Sequence, residues 1–207
     1  MKRLLIIWLM FLGLLTMASA QNYTAAQVKQ KLKAVATSTK TMQCDFVQTK
    51  YVKMLNDKVV SRGKMYYARD NKLRWEYTSP YQYTFVLNGQ KVSMKNGKRS
   101  STLDVKNNKM FTQITQIMVS TMVGQCVSDN RNFKVSLQGS GTQWKAVMTP
   151  LRSEMKKMFR SIVVGFNMKS CVVSSIEMVE KNGDKTIINI QNAKINTSIS
   201  QSLFSVH

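Results

Sequence analysis

Residues 73–97 read LRWEYTSPYQYTFVLNGQKVSMKNG and contain the pattern that decides the fold. From Leu73 to Tyr77, apolar and polar residues alternate as they do in a β-strand with one dry face. Two Asn-Gly pairs, at residues 88–89 and 96–97, follow the next apolar runs. Asn-Gly is the strongest short-range hairpin signal, because both central residues of a type I′ turn need a positive φ. We therefore predict consecutive antiparallel hairpins in this segment.

The same alternation continues on both sides. Upstream, residues 42–49 and 59–68 predict two strands, and Met42, Cys44 and Phe46 form the apolar face of the first. Downstream, strands are predicted at residues 133–137, 144–148, 158–166, 171–180 and 185–195, with a turn at Asn182-Gly183. Sequential hairpins of this kind predict a broad, curved antiparallel sheet of about eleven strands rather than a βαβ array.

Two segments have helical periodicity instead. In the first, Val28, Leu32 and Val35 recur every three or four residues after Thr24, a residue type that caps helices. This spacing predicts an amphipathic helix of about four turns. The second segment extends from about residue 107 to residue 123.

The second predicted helix is unusually poor in charge. It has no Lys or Arg between Phe111 and Val123, and Gly124 after it is a common stop signal. A helix with so little charge is buried or roofs an apolar space. Its methionines, at positions 110, 118 and 122, either fill the core or form a soft wall that adapts to ligands of different shape.

The N-terminus has the features of a secretory signal peptide. Lys2 and Arg3 precede the apolar run from Leu4 to Leu15, and small residues follow at 18–20. We predict that residues 1–20 are removed and that residues 21–207 form a single exported domain. No Cys follows the predicted cut, so a lipid anchor is not expected there, and the remaining chain has no apolar run of roughly 18 residues that could span a membrane.

The chain is strongly basic, with 31 Lys and Arg against 10 Asp and Glu and a net charge of +21. Removal of Lys2 and Arg3 with the signal peptide leaves +19. Such a charge suggests nucleic-acid binding. We nevertheless predict no nucleic-acid partner, because the protein is exported and its cations are dispersed. Two explanations stay open: weak attraction to anionic lipid head groups, or a solvated surface that maintains solubility.

Several enzyme classes are disfavoured. The sole histidine is His207, so histidine-based triads and histidine-rich metal sites have no basis. Residues 153–156 and 128–130 match S-x-x-K and S-D-N, but in the reverse of the order in penicillin-binding proteins and without K-T-G, so we attribute both matches to chance. The three cysteines either pack as small apolar side chains or form one disulfide; they are Cys44, Cys126 and Cys171.

Several of these segments together resemble the family of the periplasmic lipoprotein carrier LolA. The resemblance lies in the F-x-Q strand start at 46–48, the Gly-led strand at 61–67, the W-x-x-x-x-P strand at 73–80 and the Asn88-Gly89 turn. A later strand, 144–150, also matches, and the order and spacing of these motifs extend over nearly the whole chain after residue 20.

The resemblance implies an unclosed antiparallel β-barrel whose mouth is covered by helices that act as a lid over an apolar cavity. The cavity would hold the acyl chains of lipoproteins. The residues that it assigns to the cavity are Phe46, Met65, Tyr67, Leu73, Trp75, Phe85, Leu87, Phe111, Ile114, Ile117 and Met118. Each of these side chains could equally belong to a filled core.

The resemblance also assigns a lid latch to Arg69, which in the family holds the lid through hydrogen bonds to helix and loop backbone. The proline that follows this arginine in the family is replaced here by Asp70. Leu73 matches a lipid-contacting position where the family commonly has the larger phenylalanine.

In function, the resemblance implies a monomeric, non-catalytic chaperone of the Gram-negative periplasm that needs no cofactor or metal. It would receive acylated lipoproteins from an inner-membrane ABC exporter and deliver them to an outer-membrane acceptor. The alternatives are a protein of the same fold that binds another lipid or acts as an envelope sensor module, and an envelope hydrolase.

Overall fold

The computed structural model describes residues 23–106 and 109–206 and contains one eleven-stranded antiparallel sheet. The predicted signal peptide, residues 1–20, lies outside the described residues. The strands lie side by side in the order β6-β5-β4-β3-β2-β1-β11-β10-β9-β8-β7, so β6 and β7 are the two edges and do not pair with each other. The strands are β1 Thr41–Val52, β2 Asp57–Ala68, β3 Lys72–Ser79, β4 Tyr83–Asn88, β5 Lys91–Asn96, β6 Arg99–Asp104, β7 Phe133–Ser140, β8 Gln143–Pro150, β9 Phe159–Asn167, β10 Val172–Glu180 and β11 Lys185–Ile195. The prediction of an unclosed antiparallel sheet of about eleven strands is confirmed.

Three α-helices accompany the sheet among the described residues: α1 Ala25–Ser38, α2 Lys109–Met122 and α3 Ser153–Met158. The first two were predicted, whereas α3 was not, because six residues are too few to show helical periodicity. Thr24 caps α1 in a capping box with Gln27, and α2 ends before Gly124, whose φ is +77°. None of the helices in the described part of the chain is long and apolar enough to cross a membrane.

Two hairpin turns differ by one residue from their predicted register. Asn88 pairs with Lys91, and Asn96 pairs with Arg99, so each asparagine ends a strand. The first central residue of each turn is therefore the glycine, with a φ of +63° at Gly89. Glycine at that position is typical of a type II′ turn rather than the type I′ turn expected from Asn-Gly.

The inner face of the sheet forms the core, and the chain's C-terminal segment covers part of the outer face. Phe204, in a short 3₁₀ turn, is fully buried against Ala68 and Val86. Asn88 Nδ2 donates a hydrogen bond of 3.0 Å to the Phe204 carbonyl, which fixes this segment to β4.

The three cysteines are free thiols. Cys44 and Cys126 are buried, and burial raises the pKa of each to about 12, with the nearby carboxylates of Asp45 and Asp129 acting in the same direction. Both therefore behave as small apolar side chains, which is the first of the two alternatives left open by the sequence.

Candidate functional site

A cavity of about 330 Å³ lies between the inner face of the sheet and helix α2. Its wall is almost entirely apolar and is built from six strands and two helices. The lining residues are Gln48, Trp75, Tyr77, Tyr83, Phe85, Ile114, Ile117, Met118, Thr121, Met122, Met155, Phe159, Ile162, Ile176, Met178 and Ile188. The volume is near the lower end of the roughly 300–1,000 Å³ that small-molecule pockets span.

Helix α2 forms the roof with one continuous face. Ile114, Ile117, Met118, Thr121 and Met122 have the i, i+3, i+4, i+7, i+8 spacing of a single helical stripe, and all of them line the cavity. The absence of charged residues from this stripe, noted in the sequence, is therefore explained by its position over the cavity.

Of the eleven residues assigned to the cavity by resemblance, the structure brings five to its wall: Trp75, Phe85, Ile114, Ile117 and Met118. The other six lie in or against the packed core next to it; they are Phe46, Met65, Tyr67, Leu73, Leu87 and Phe111. Phe46 supports the wall from beneath, because its ring stacks on Trp75 with 4.2 Å between ring centroids.

The cavity occupies only one end of the sheet, as the strand register shows. Leu73, Tyr67 and Leu87 form one row across neighbouring strands, and all three are buried in the core outside this cavity. The cavity begins at the next row, with Trp75 opposite Phe85, and continues to Tyr77 opposite Tyr83. The cavity therefore lies at the end of the sheet that contains the β1–β2 hairpin turn.

The lining residues of β9, β10, β11 and α3 were not predicted from the sequence; examples are Phe159, Met178, Ile188 and Met155. Phe159 breaks the alternation with Ile162, because the β9–β10 register shifts between Phe159 and Ser161. The other strand residues among them alternate with outward-facing neighbours, so their face could have been predicted. Their proximity to Trp75 could not be predicted, because it depends on how the sheet curves to bring together strands that are about a hundred residues apart in the chain.

A few polar atoms interrupt the apolar wall. The Tyr77 hydroxyl donates a hydrogen bond of 3.0 Å to Gln48 Oε1, and burial raises the pKa of this phenol so that it stays a donor. Thr121 Oγ1 is buried and has no hydrogen-bond partner among the described residues. A polar atom buried in this way could bind an ester, amide or hydroxyl group of a ligand.

Arg69 lies at the end of β2 and binds the C-terminal end of helix α1. Its Nε donates a hydrogen bond of 3.1 Å to the carbonyl of Thr39, and its Nη2 donates another to the carbonyl of Thr37. The last carbonyls of a helix lack partners within the helix and carry partial negative charge, so a guanidinium group suits them.

Helix α1 is connected to the roof of the cavity through a 3₁₀ turn, Gln125–Ser128, that contacts both α1 and α2. Cys126 and Val127 of this turn are buried in the same core as Val28 and Leu32 of α1. We use the word lid for α1, this turn and α2 together. The two hydrogen bonds from Arg69 join the end of α1 to the end of β2.

Residues 37–207, more than four-fifths of the chain, match the family model described as outer membrane lipoprotein carrier protein LolA. The chain belongs to the LolA family. The family is one of carrier and binding proteins rather than enzymes.

This LolA-family protein has similar relatives of low identity. The outer-membrane lipoprotein carrier protein of Methylococcus capsulatus (strain Bath) is 26% identical over 178 residues, which cover 85% of this chain and 81% of the relative. Among solved structures, an uncharacterized conserved protein from Thermus thermophilus has a TM-score of 0.54 at 10% identity, covering 87% of this chain and 93% of that one. MucB has a TM-score of 0.50 at 9% identity, covering 88% and 62%. These two likenesses show the fold alone.

The turn after Arg69 in this LolA-family protein is one that proline could not adopt. Asp70 has a φ of +66° and Asn71 a φ of +57°. Proline is confined to a φ near −65°, so the proline of the family pattern would need a different turn. Here Asp70 instead allows a left-handed turn that presents Arg69 to α1.

We predict that Thr121→Val stabilises the empty protein. The substitution keeps the side-chain shape and removes a buried hydroxyl without a partner, so the free energy of unfolding should rise by about 1 kcal/mol. For a chain of this size that raises the melting temperature by roughly 2–4 °C, measurable by circular dichroism. The control is Thr112→Val on the same helix: the Thr112 hydroxyl donates a hydrogen bond of 2.7 Å to Val105 O, so its removal should lower stability. Equal effects of the two substitutions would contradict the prediction.

Proposed function

We propose that this protein is a periplasmic carrier that shields the acyl chains of lipoproteins in its apolar cavity, without catalysis, cofactor or metal. The observation that supports it best is the apolar cavity beneath an uncharged helix stripe. The family match supports the same proposal.

The energetics of acyl-chain burial favour such a carrier. Each methylene group removed from water contributes about 0.8 kcal/mol, so a few carbons already give useful affinity. Acyl chains of membrane lipids would more than fill a cavity of about 330 Å³, so α2 must move outward to admit them. We propose that the lid opens on loading and closes on release.

The hydrogen bonds from Arg69 to α1 make this opening reversible in the proposal. If the closed lid is the stable empty state, its closing free energy opposes lipid binding and keeps affinity low enough for transfer. We propose that the protein works as a monomer, receives cargo from an inner-membrane ABC exporter and passes it to an outer-membrane acceptor.

Photocrosslinking from the cavity wall tests the proposal in cells. A photoreactive phenylalanine at position 85 should capture acylated lipoproteins, because Phe85 lines the cavity. The matched control is position 84, the adjacent residue of β4, whose side chain points to the other face of the sheet. Capture of no lipoprotein from position 85 by a folded protein, or equal capture from both positions, would contradict the carrier role.

A second candidate is a carrier or sensor that binds a smaller lipid. The modest cavity volume and the unpartnered Thr121 hydroxyl favour it, since both suit a ligand with a polar group close to its acyl chain. Mass spectrometry of lipid extracted from the purified protein distinguishes the two. A free lipid at one equivalent would support the smaller ligand, and lipoprotein-derived peptides would support the carrier.

A further inference from the structure

The exposed large apolar side chains of the described residues all lie at one end of the sheet. Single exposed apolar residues are normal on protein surfaces, but contiguous ones mark contact sites. Within the described part of the chain, all seven such residues fall in the segments 50–60, 79–83 and 150–160; they are Tyr51, Met54, Leu55, Val59, Val60, Tyr81 and Leu151. We call these three segments, with the adjacent turn 180–185, the rim.

The tip of the β1–β2 hairpin is the most prominent part of the rim. Met54 and Leu55, in the 3₁₀ turn Lys53–Leu55, are 90% and 66% exposed. On the side away from β1, pairing of β2 with β3 reaches only as far as Arg62, so the hairpin extends beyond that neighbour. Two apolar side chains are thus held at the end of a projecting hairpin.

The tip has a defined shape. The backbone N–H of Lys53 donates a hydrogen bond of 3.0 Å to Oδ1 of Asp184, which is itself buried. Asn56 then closes the turn with a left-handed φ of 50° and an N–H that donates to the Lys53 carbonyl at 3.2 Å. The apolar tip is therefore preorganised rather than a loose loop.

The segments of the rim are joined to one another. The Lys53–Asp184 hydrogen bond connects the tip to the β10–β11 turn. The N–H of Lys181 in that turn donates to the Met158 carbonyl at 2.9 Å, and Arg160 Nη2 donates to the Lys181 carbonyl at 3.0 Å, which connects the turn to α3 and β9. These hydrogen bonds thus join three of the four rim segments, 50–60, 180–185 and 150–160.

The rim is also strongly basic. Its four segments, 50–60, 79–83, 150–160 and 180–185, contain nine Lys and Arg residues and four Asp and Glu residues. Two of the acidic residues, Glu180 and Asp184, are engaged by Lys50 Nζ at 3.5 and 3.9 Å. Apolar side chains at a projecting tip with lysines around them match the head-group and upper acyl region of an anionic bilayer.

The rim surrounds the end of the sheet where the cavity lies. Tyr83 and Phe159 line the cavity and belong to the rim, and Gln48, which also lines it, is two residues from the rim along β1. A bilayer against the rim would therefore face the cavity, and an acyl chain could move between the two with little exposure to water.

We propose that the rim docks this protein on anionic lipid bilayers, with Met54 and Leu55 inserted among the head groups. The docking needs no cargo, so it can be tested separately from the proposed carrier function. Anionic lipid is the chosen occupant because the rim combines positive charge with an apolar tip, whereas a protein partner is a competing outcome of the test.

Vesicle co-sedimentation tests the proposal with the exported, processed protein, whose intact mass must show that the apolar run 4–15 is gone. The protein should bind phosphatidylcholine–phosphatidylglycerol vesicles, bind pure phosphatidylcholine vesicles much less and lose binding at high salt. The double variant Met54→Ser with Leu55→Ser should bind the mixed vesicles about fivefold more weakly, since it removes the inserted apolar area. Its fold should be unchanged because both side chains are exposed.

A charge-matched pair of variants separates the rim from net charge. Lys157→Gln with Lys181→Gln removes two rim cations, and Lys169→Gln with Lys194→Gln removes two exposed cations at the opposite end of the sheet. The first pair should weaken binding about fivefold and the second less than twofold. The proposal would be overturned if the two pairs had equal effects or if the Met54 and Leu55 changes had none. It would also be overturned if the wild type did not bind vesicles, which is the result expected for a protein partner.

Discussion

Replacing Ile188 with tryptophan should weaken acyl-chain binding about fifteenfold while the protein stays folded. Ile188 lies on β11 and its side chain lines the cavity. The indole has space to enter, because the cavity of about 330 Å³ is empty of protein atoms, so overpacking strain should be small. Once there, it adds the volume of about two acyl methylene groups, which together are worth about 1.6 kcal/mol of affinity. We therefore expect the affinity for an acylated peptide to fall about fifteenfold.

The neighbouring residue provides the matched control. Ile187 is next to Ile188 on the same strand and points to the outer face of the sheet, so Ile187→Trp adds the same bulk outside the cavity. Binding of a fluorescent diacylated lipopeptide is measured for both variants, with melting temperatures as a check on folding. Wild-type affinity in a folded Ile188→Trp variant would show that acyl chains bind elsewhere. The same variant should still bind anionic vesicles, so failure of the cavity and failure of the rim give different results.

Much of the fold could be predicted because its signals are local. Period-2 alternation at 42–48 and 73–77 depends only on a strand having one buried face, and the structure places Met42, Phe46, Leu73 and Trp75 on that face. The capping residue Thr24 and the stop at Gly124 are local in the same sense. These features require no knowledge of which strands become neighbours across the sheet.

The position of the cavity was harder to predict because alternation identifies a face but not a place along the strand. Leu73 and Trp75 have the same pattern, yet Leu73 is buried outside the cavity, whereas Trp75 begins the cavity wall. The difference depends on what lies above each row, namely the lid and the strands β9 to β11. Met155 shows the same limit, since it reaches the cavity from a six-residue helix without any periodic signal.

This division of the inner face is physically useful. The row that lies outside the cavity, with Met42, Leu73 and Leu87 buried, supplies apolar burial that keeps the shell folded when no ligand is present. The free-energy cost of leaving the other end hollow is then tolerable. Gly63, opposite Tyr77, makes room for the Phe46 ring beneath the cavity wall, because a β-carbon there would collide with that ring and with the Glu76 carbonyl.

Replacing Arg69 with leucine should preserve loading and slow release of cargo by up to about thirtyfold. The substitution removes both hydrogen bonds to the carbonyls of Thr37 and Thr39 at the end of α1. Arg69 is an exposed residue, so we discount these charge-assisted bonds to about 1–2 kcal/mol in total. In the proposed mechanism that free energy stabilises the closed, empty lid. Its loss favours the open, loaded state by about five- to thirtyfold.

Two further variants separate the hydrogen bonds of Arg69 from its charge. Arg69→Lys keeps the charge but cannot reproduce the fork that reaches two carbonyls, so its release rate should be intermediate. Arg62→Leu removes one exposed positive charge from the same strand without touching α1 and should release cargo at the wild-type rate. Release is followed as transfer of a fluorescent diacylated lipopeptide from the loaded protein to acceptor vesicles. If Arg69→Leu releases as fast as Arg62→Leu, then Arg69 does not set the opening equilibrium of the lid, and its hydrogen bonds to α1 serve only to position that helix on the sheet.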